Sequence, residues 1–362
     1  MKLNILLNKT DFRIEDYNKY FYGPHNNVLF RFEQKFFVIK LLSVVKIPDL
    51  RILLKTPLYL IEKSINEPNY SLFSIPKKSG GSRKIQSPDD KLIKLQSRLN
   101  FYLQNYYHLV KPEGIYGFVI NPNKKKKICN IVENAKVHVN QKNVLNLDLK
   151  DFFPSIKAYR VKELFVSEYF NFNDGVASAL ALLCTYEGKL PIGAPTSPVI
   201  SNFICMELDV ELITFCKENQ LNFSRYADDL TFSSNKIITE KTISSIFEII
   251  QKNNFEVNHK KTRLKTNNRK QTVTGLVVNE KVNVDRKTIK MVRAILYDAS
   301  NNGIEKASTK HFLLNKTTEK NDSIYFLNRL EGYINFIAQV RGFDDALVIK
   351  FKNDFRNLKW KE

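Results

Sequence analysis

Leu221-Asn222-Phe223-Ser224-Arg225-Tyr226-Ala227-Asp228-Asp229-Leu230-Thr231-Phe232-Ser233 is the stretch on which the reading of this chain turns. Two short runs rich in aromatic and β-branched residues flank Tyr226-Ala227-Asp228-Asp229, the pattern of a tight β-hairpin. Adjacent carboxylates at its tip repel each other, and folding alone does not ask for them. For an isolated pair, a solvated turn is explanation enough, since Asp is an ordinary turn residue. The alternative is a hard divalent cation, which takes oxygen ligands from one or two carboxylates together with substrate phosphates.

The pair is not isolated. Upstream lies Val144-Leu145-Asn146-Leu147-Asp148-Leu149-Lys150-Asp151-Phe152-Phe153-Pro154-Ser155-Ile156. The run through Leu147 is apolar enough for a buried strand, with Asp148 near its exposed end. Pro154 cannot donate to a ladder, so the strand should stop around Asp151 and Phe152. A third carboxylate on a neighbouring strand would allow two metals about 4 Å apart, an arrangement that supports in-line phosphoryl or nucleotidyl transfer.

These two segments resemble motifs A and C of reverse transcriptases, and further motifs follow in the family's order. Ile75-Pro76-Lys77-Lys78-Ser79-Gly80-Gly81-Ser82-Arg83-Lys84-Ile85 resembles the basic fingers hairpin. Leu190-Pro191-Ile192-Gly193-Ala194-Pro195-Thr196-Ser197-Pro198, followed by Ser201-Asn202, resembles motif B, and Asn258-His259-Lys260-Lys261-Thr262 resembles motif D. Asn134-Ala135-Lys136-Val137-His138 and Val273-Thr274-Gly275 match two signatures of retron reverse transcriptases. Singly each has a bland explanation: a helical His is commonly structural, and Val-Thr-Gly can be a strand ending in a turn. Together they identify the chain as resembling the retron enzymes.

The resemblance implies roles. Asp148, Asp228 and Asp229, with Leu149 beside them, would hold two Mg²⁺ ions, Mn²⁺ being a possible substitute; Asp148 and Asp228 would bridge both. Asp151, the third residue on from Asp148, would be a structural or solvent-facing carboxylate. Lys78 and Arg83 would hold the triphosphate of an incoming deoxynucleotide, with Lys77 an alternative to Lys78. Lys261, or its neighbour Lys260, would protonate the leaving pyrophosphate. Phe153 falls at the family's steric gate against the 2′-hydroxyl, whereas Phe152 reads as core. Ile192, beside Gly193, stands where many relatives have Gln, so nucleotide discrimination there would rest on shape. Asn134, His138, Val273, Thr274 and Gly275 would contact RNA, because amides, imidazoles and hydroxyls bond 2′-hydroxyls and unpaired bases. The run Lys124-Lys125-Lys126-Lys127 would add phosphate contacts, the competing explanation being a solvated loop.

Composition is compatible with this. A chain of 362 residues, 43% hydrophobic and 12% aromatic, can bury a substantial core in two or three subdomains. A formal net charge of +20 calls for a polyanionic partner, nucleic acid before membrane. Four cysteines, Cys129, Cys184, Cys205 and Cys216, form no C-x-x-C pair, and the last three read as small core residues. The N-terminus is too short and polar-interrupted for a secretory signal, and no apolar run is long enough to span a membrane, so the expected location is cytoplasmic.

The expected fold is α+β: a right-hand polymerase with fingers, a palm of antiparallel sheet plus helices, and a short helical thumb. Residues 1–69 would form a helical extension packed on the fingers, 70–280 the fingers and palm, and 281–362 a basic helical thumb. The implied partners are a cognate structured noncoding RNA, its DNA product and a separate effector protein, with no membrane. Group II intron maturases share the palm motifs but usually continue into further domains, whereas this chain stops at Glu362. Diversity-generating enzymes commonly carry Ser-Gln where this chain has Ser197-Pro198. Another bacterial antiviral reverse transcriptase is the nearest rival. A noncatalytic RNA scaffold is the rival from another class, though a scaffold has no use for Asp148, Asp228 and Asp229 where RNA must lie.

Overall fold

A computed structural model of the chain describes residues 34–77, 80–120, 129–312 and 319–359. Helices α1 (Gln34–Leu42), α2 (Leu50–Leu54) and α3 (Leu58–Asn66) precede strands β1 (Tyr70–Pro76) and β2 (Ser82–Pro88) and the long α4 (Asp90–Val110). Next come α5 (Ile131–Lys136), β3 (Asn143–Asp148), α6 (Phe152–Ser155), α7 (Ala158–Val166), α8 (Asp174–Cys184), α9 (Ser197–Ile204) and α10 (Met206–Glu218). Strands β4 (Asn222–Tyr226) and β5 (Asp229–Ser234), α11 (Glu240–Lys252), β6 (Arg263–Thr266), β7 (Thr272–Val273) and β8 (Leu276–Val277) follow. The last elements are α12 (Arg286–Asn302), α13 (Ile304–Phe312), α14 (Glu319–Arg341) and α15 (Ala346–Lys359).

One sheet has the order β4-β5-β3-β6, with β3 antiparallel to β6 from Asn143 opposite Thr266 to Asn146 opposite Arg263. Two antiparallel hairpins, β1-β2 and β7-β8, stand apart from it. Helices combined with antiparallel sheets make this the expected α+β class. Among the described residues no helix is long and apolar enough to cross a membrane.

Contacts divide the described chain into two compact units. The first gathers the described residues up to Cys129 with Leu147–Leu230 and Thr239–Thr262. Its backbone is α4, which begins where the Asp89 carboxylate accepts a hydrogen bond from Leu92 N at 2.8 Å and ends just before Pro112. Leu92, Leu95, Leu99, Tyr102, Leu103 and Tyr106 recur at three- and four-residue spacing and are buried along one side of the helix. Tyr106 meets Phe170 at 5.2 Å and Phe170 meets Phe203 at 5.0 Å, edge-on contacts that join three segments in one aromatic core. Cys184, Cys205 and Cys216 are buried, as expected of small core residues.

The second unit comprises Asn130–Asn146, Thr231–Ile238 and the described residues from Arg263 onward. Val132, Ala135 and Val144 share a core with Val273, Leu276, Ile295, Phe326, Ile337 and Phe351. Fully burying a large apolar side chain stabilises by about 1.5–3 kcal/mol, so such a core outweighs the chain distance between its parts. Compactness therefore follows contacts rather than chain order: Asn130–Asn146 and Thr231–Ile238 belong with the C-terminal helices although both fall within 70–280.

Candidate active site

Asp148 closes β3 and is 7% exposed. Its Oδ1 accepts from Asn258 Nδ2 at 3.1 Å and its Oδ2 from Lys261 Nζ at 2.8 Å, while Asn258 N donates to its backbone oxygen at 2.8 Å. The hydrogen bond to Asp148 holds the Lys261 ammonium above its ordinary pKa. Leu149 N donates to Asp228 O at 3.0 Å, so backbone pairing ties the strand end to the hairpin turn. Asp228 is half-buried and Asp229 exposed. Burial, then the charge of Asp148, raises the Asp228 pKa, which Lys261 and Arg83 oppose. Although Asp229 keeps contact with solvent, the crowded turn desolvates its carboxyl in part, and with the charges of Asp228 and Asp148 this pushes it up to about 7 against the pull of Lys261.

Three carboxylates thus compete for too little positive charge, which a hard cation would relieve, and carboxylate oxygens are the donors Mg²⁺ prefers. Leu149 has a buried aliphatic side chain, so only its carbonyl oxygen can serve as a ligand. Among the described residues no three His, Cys, Asp or Glu side chains already converge as a metal cage. Asp148 is instead engaged by Asn258 and Lys261.

The turn is braced from behind. Ala227 has φ +60, a left-handed conformation that non-glycine residues seldom adopt. Arg225 Nη1 donates to Ala227 O at 3.1 Å and to Asn202 Oδ1 at 2.9 Å, while its Nε and Nη2 each meet an Asp209 carboxylate oxygen at 2.6 Å. Arg225, Asp209 and Asn202 are fully buried. Burial opposes the charge on Arg225, yet the adjacent Asp209 carboxylate outweighs that and strengthens its hold on the proton. Asn202 Nδ2 donates to Gly117 O at 3.0 Å, and Gly117 lies so close to the turn that a methyl group there would sit 2.2 Å from Ala227 N. Arg225, Asp209, Asn202, Gly117 and Asn258 received no role from the sequence. The one available signal was at Arg225, a charged residue within a strand of the hairpin.

On the nucleotide side, Arg83 is exposed on β2 and its charge reaches Asp228. Lys77 is exposed; Lys78 lies outside the described residues. Gln86 N donates to Ile192 O at 2.8 Å, docking the motif B loop on β2. Gly193 has φ +130, and a methyl group there would meet Gln86 O at 2.8 Å, so glycine permits both the conformation and the approach. Phe153 is half-buried and stacked on Phe118 at 5.8 Å, whereas Phe152 is buried against Phe255 at 5.9 Å, the core role expected of it.

The RNA signatures require a correction. His138 and Val273 are completely buried, and Asn134 is 1% exposed, so these side chains face the protein interior rather than RNA. His138 Nδ1 hydrogen-bonds with Ser233 Oγ at 2.7 Å, and burial lowers its pKa to about 3. Thr274 (φ +47) and Gly275 (φ +83) form the two-residue turn between β7 and β8, and Thr274 Oγ1 donates to Ile131 O at 3.3 Å. The two signatures are therefore one packed element, α5 against the β7-β8 hairpin, with Gly275 exposed at the turn. Lys124, Lys125, Lys126 and Lys127 lie outside the described residues.

Residues 75–292 match the family described as reverse transcriptase (RNA-dependent DNA polymerase). The chain belongs to the reverse transcriptase family, and its α+β fold is that of a right-hand polymerase. Within that family it is similar to retron reverse transcriptases. It is 32% identical to the Mx65 enzyme of Myxococcus xanthus, over 67% of this chain and 59% of that protein. It is also 32% identical to the Ec86 enzyme of Escherichia coli, over 59% of this chain and 61% of that protein. The chain thus spans about three fifths of the length of these curated relatives. Among solved structures, telomerase from Candida albicans in complex with a TWJ fragment of telomeric RNA aligns with a TM-score of 0.47 at 10% identity, covering 80% of this chain and 61% of that one.

Proposed function

We propose that this chain is the RNA-directed DNA polymerase of a retron. It copies part of a cognate structured noncoding RNA into single-stranded DNA that stays joined to the RNA, with a 2′-hydroxyl of that RNA as primer. The observation that carries the reading is the placement of Asp148, on a buried strand end, against the Asp228-Asp229 turn and the Asn258–Lys261 segment. Retron relatives support the choice within the family.

Asp148, Asp228, Asp229 and the Leu149 carbonyl are the groups that would hold two Mg²⁺ ions, which when bound stabilise negative charge on the attacking and leaving oxygens. Arg83, with Lys77 or Lys78, holds the triphosphate of the incoming deoxynucleotide. Lys261, already protonated, gives its proton to the pyrophosphate as it leaves. Phe153 closes the space a 2′-hydroxyl would need. The partners are the noncoding RNA, its DNA product and a separate effector in an antiphage system.

Expression with the neighbouring intergenic DNA tests the reading. It should yield a small DNA joined to RNA through a debranchable 2′–5′ linkage; only free, conventionally primed DNA would overturn the retron assignment. Asp228→Asn, which removes one charge with little change in volume, should abolish synthesis and leave RNA binding largely intact. Near-normal extension by that variant would mean that the active site lies elsewhere.

A further inference from the structure

Phe118 has φ +58, a conformation that is costly for a bulky residue and persists only where surrounding structure enforces it. The enforcement is visible. Gln104 Nε2, from the buried side of α4, donates to Phe118 O at 3.0 Å, and Gln104 Oε1 accepts from Ile120 N at 3.2 Å. Asn202 holds the preceding carbonyl, Gly117 O, at 3.0 Å. Gln104 is 5% exposed and Asn202 completely buried, so neither amide trades these bonds for water. The constraint delivers one thing: the Phe118 ring lies against the Phe153 ring, centroids 5.8 Å apart and planes 30° apart.

We infer that Phe118 is a positioning residue for sugar selection, backing the Phe153 ring so that it cannot yield to a 2′-hydroxyl. This rests on the reading of Phe153 as the gate. A steric gate excludes by clash, and a clash discriminates only if the excluding group has nowhere to go. Phe153 sits in the single-turn helix α6 and is half-buried, with Phe152 a second ring neighbour at 5.4 Å, so without the stacked Phe118 face its side chain has room to swing away. The Phe118 face blocks that movement, and the strained backbone keeps the face in place.

The test is the ratio of ribonucleotide to deoxynucleotide kcat/KM on an annealed RNA template with a DNA primer. Phe153→Ala should raise the ratio by on the order of 10²-fold, the scale on which an apolar pocket rejects an added hydroxyl. Phe118→Ala should raise it roughly tenfold, as expected of partial loss of that discrimination. Because both act through one ring, the double variant should match Phe153→Ala rather than the product of the two effects. Phe118→Leu keeps apolar bulk at the site, and should give a smaller rise. Gln104→Met removes the bonds to Phe118 O and from Ile120 N, leaves only the longer 3.5 Å bond from Asn202 Nδ2 on that carbonyl and keeps both rings, so it should shift the ratio in the same direction. A changed ratio for Phe153→Ala with unchanged ratios for Phe118→Leu and Gln104→Met overturns the positioning role alone. An unchanged ratio for Phe153→Ala removes the gate itself.

Discussion

Gly117→Ala probes the contact that sets the position of the catalytic turn. The added methyl would lie 2.2 Å from Ala227 N, 2.7 Å from Tyr226 C and 3.0 Å from Tyr226 Cα. All three are backbone atoms, so no side chain can rotate out of the way. Favourable non-bonded separations are about 3.5–4 Å, so either the 116–118 segment or the turn must move by on the order of 1 Å. The segment is pinned by Asn202 at Gly117 O and by the bond from Tyr116 N to Arg225 O at 3.0 Å, so part of the displacement passes to Tyr226 and Ala227 and strains the bonds that brace the turn. Asp228 follows directly. A misplacement of that size costs roughly 100-fold in rate, or ~2.7 kcal/mol in the barrier. Overpacking also costs about 1–3 kcal/mol of stability, so urea unfolding must accompany the kinetics. The assay is single-turnover extension of an annealed primer by folded protein. Gly332→Ala, in α14 with open space around the site, serves as control and should leave the rate unchanged. A wild-type single-turnover rate in folded Gly117→Ala would refute the claim that this approach positions the carboxylates.

Asp209→Asn leaves the Arg225 charge buried without its counter-charge, and should destabilise the protein by about 3–5 kcal/mol in urea unfolding; a loss no larger than that of a surface substitution would mean that the pair is not structurally important. His138 supplies a pH dependence. Its folded pKa, about 3, lies below the unfolded value, so between there and about 6.5 the unfolded state binds the proton that the folded state excludes. Stability should be fully present above about pH 6.5 and fall by ~1.4 kcal/mol per pH unit as pH drops toward the folded pKa. His138→Gln should flatten that part of the stability-against-pH curve, and an unchanged slope would show that His138 is not held neutral.

The sequence by itself determined the chemistry and the class. Period-two patterning around Asp228 and the apolar run before Asp148 are local signals, and β5 and β3 form there. But β3 stops at a buried Asp148, short of the Asp151 and Phe152 expected from Pro154, because Asp151 turns left-handed and Phe152 opens a helical turn. The order of the motifs was also legible, because it is a property of the chain. What Asp148 touches was not. Asn258 and Lys261 reach it from more than a hundred positions away, and no local pattern records such a meeting. Arg225 reads as one polar residue on a strand; only packing turns its guanidinium inward onto Asp209, Asn202 and Ala227. The same holds for the retron signatures, whose residue types suit RNA but whose burial depends on α5 meeting the β7-β8 hairpin. Sequence fixes which groups a segment can offer. Whether a group faces water, a substrate or another side chain is decided by long-range packing, where burial energy summed over the whole core outweighs the preference of any one polar residue for solvent.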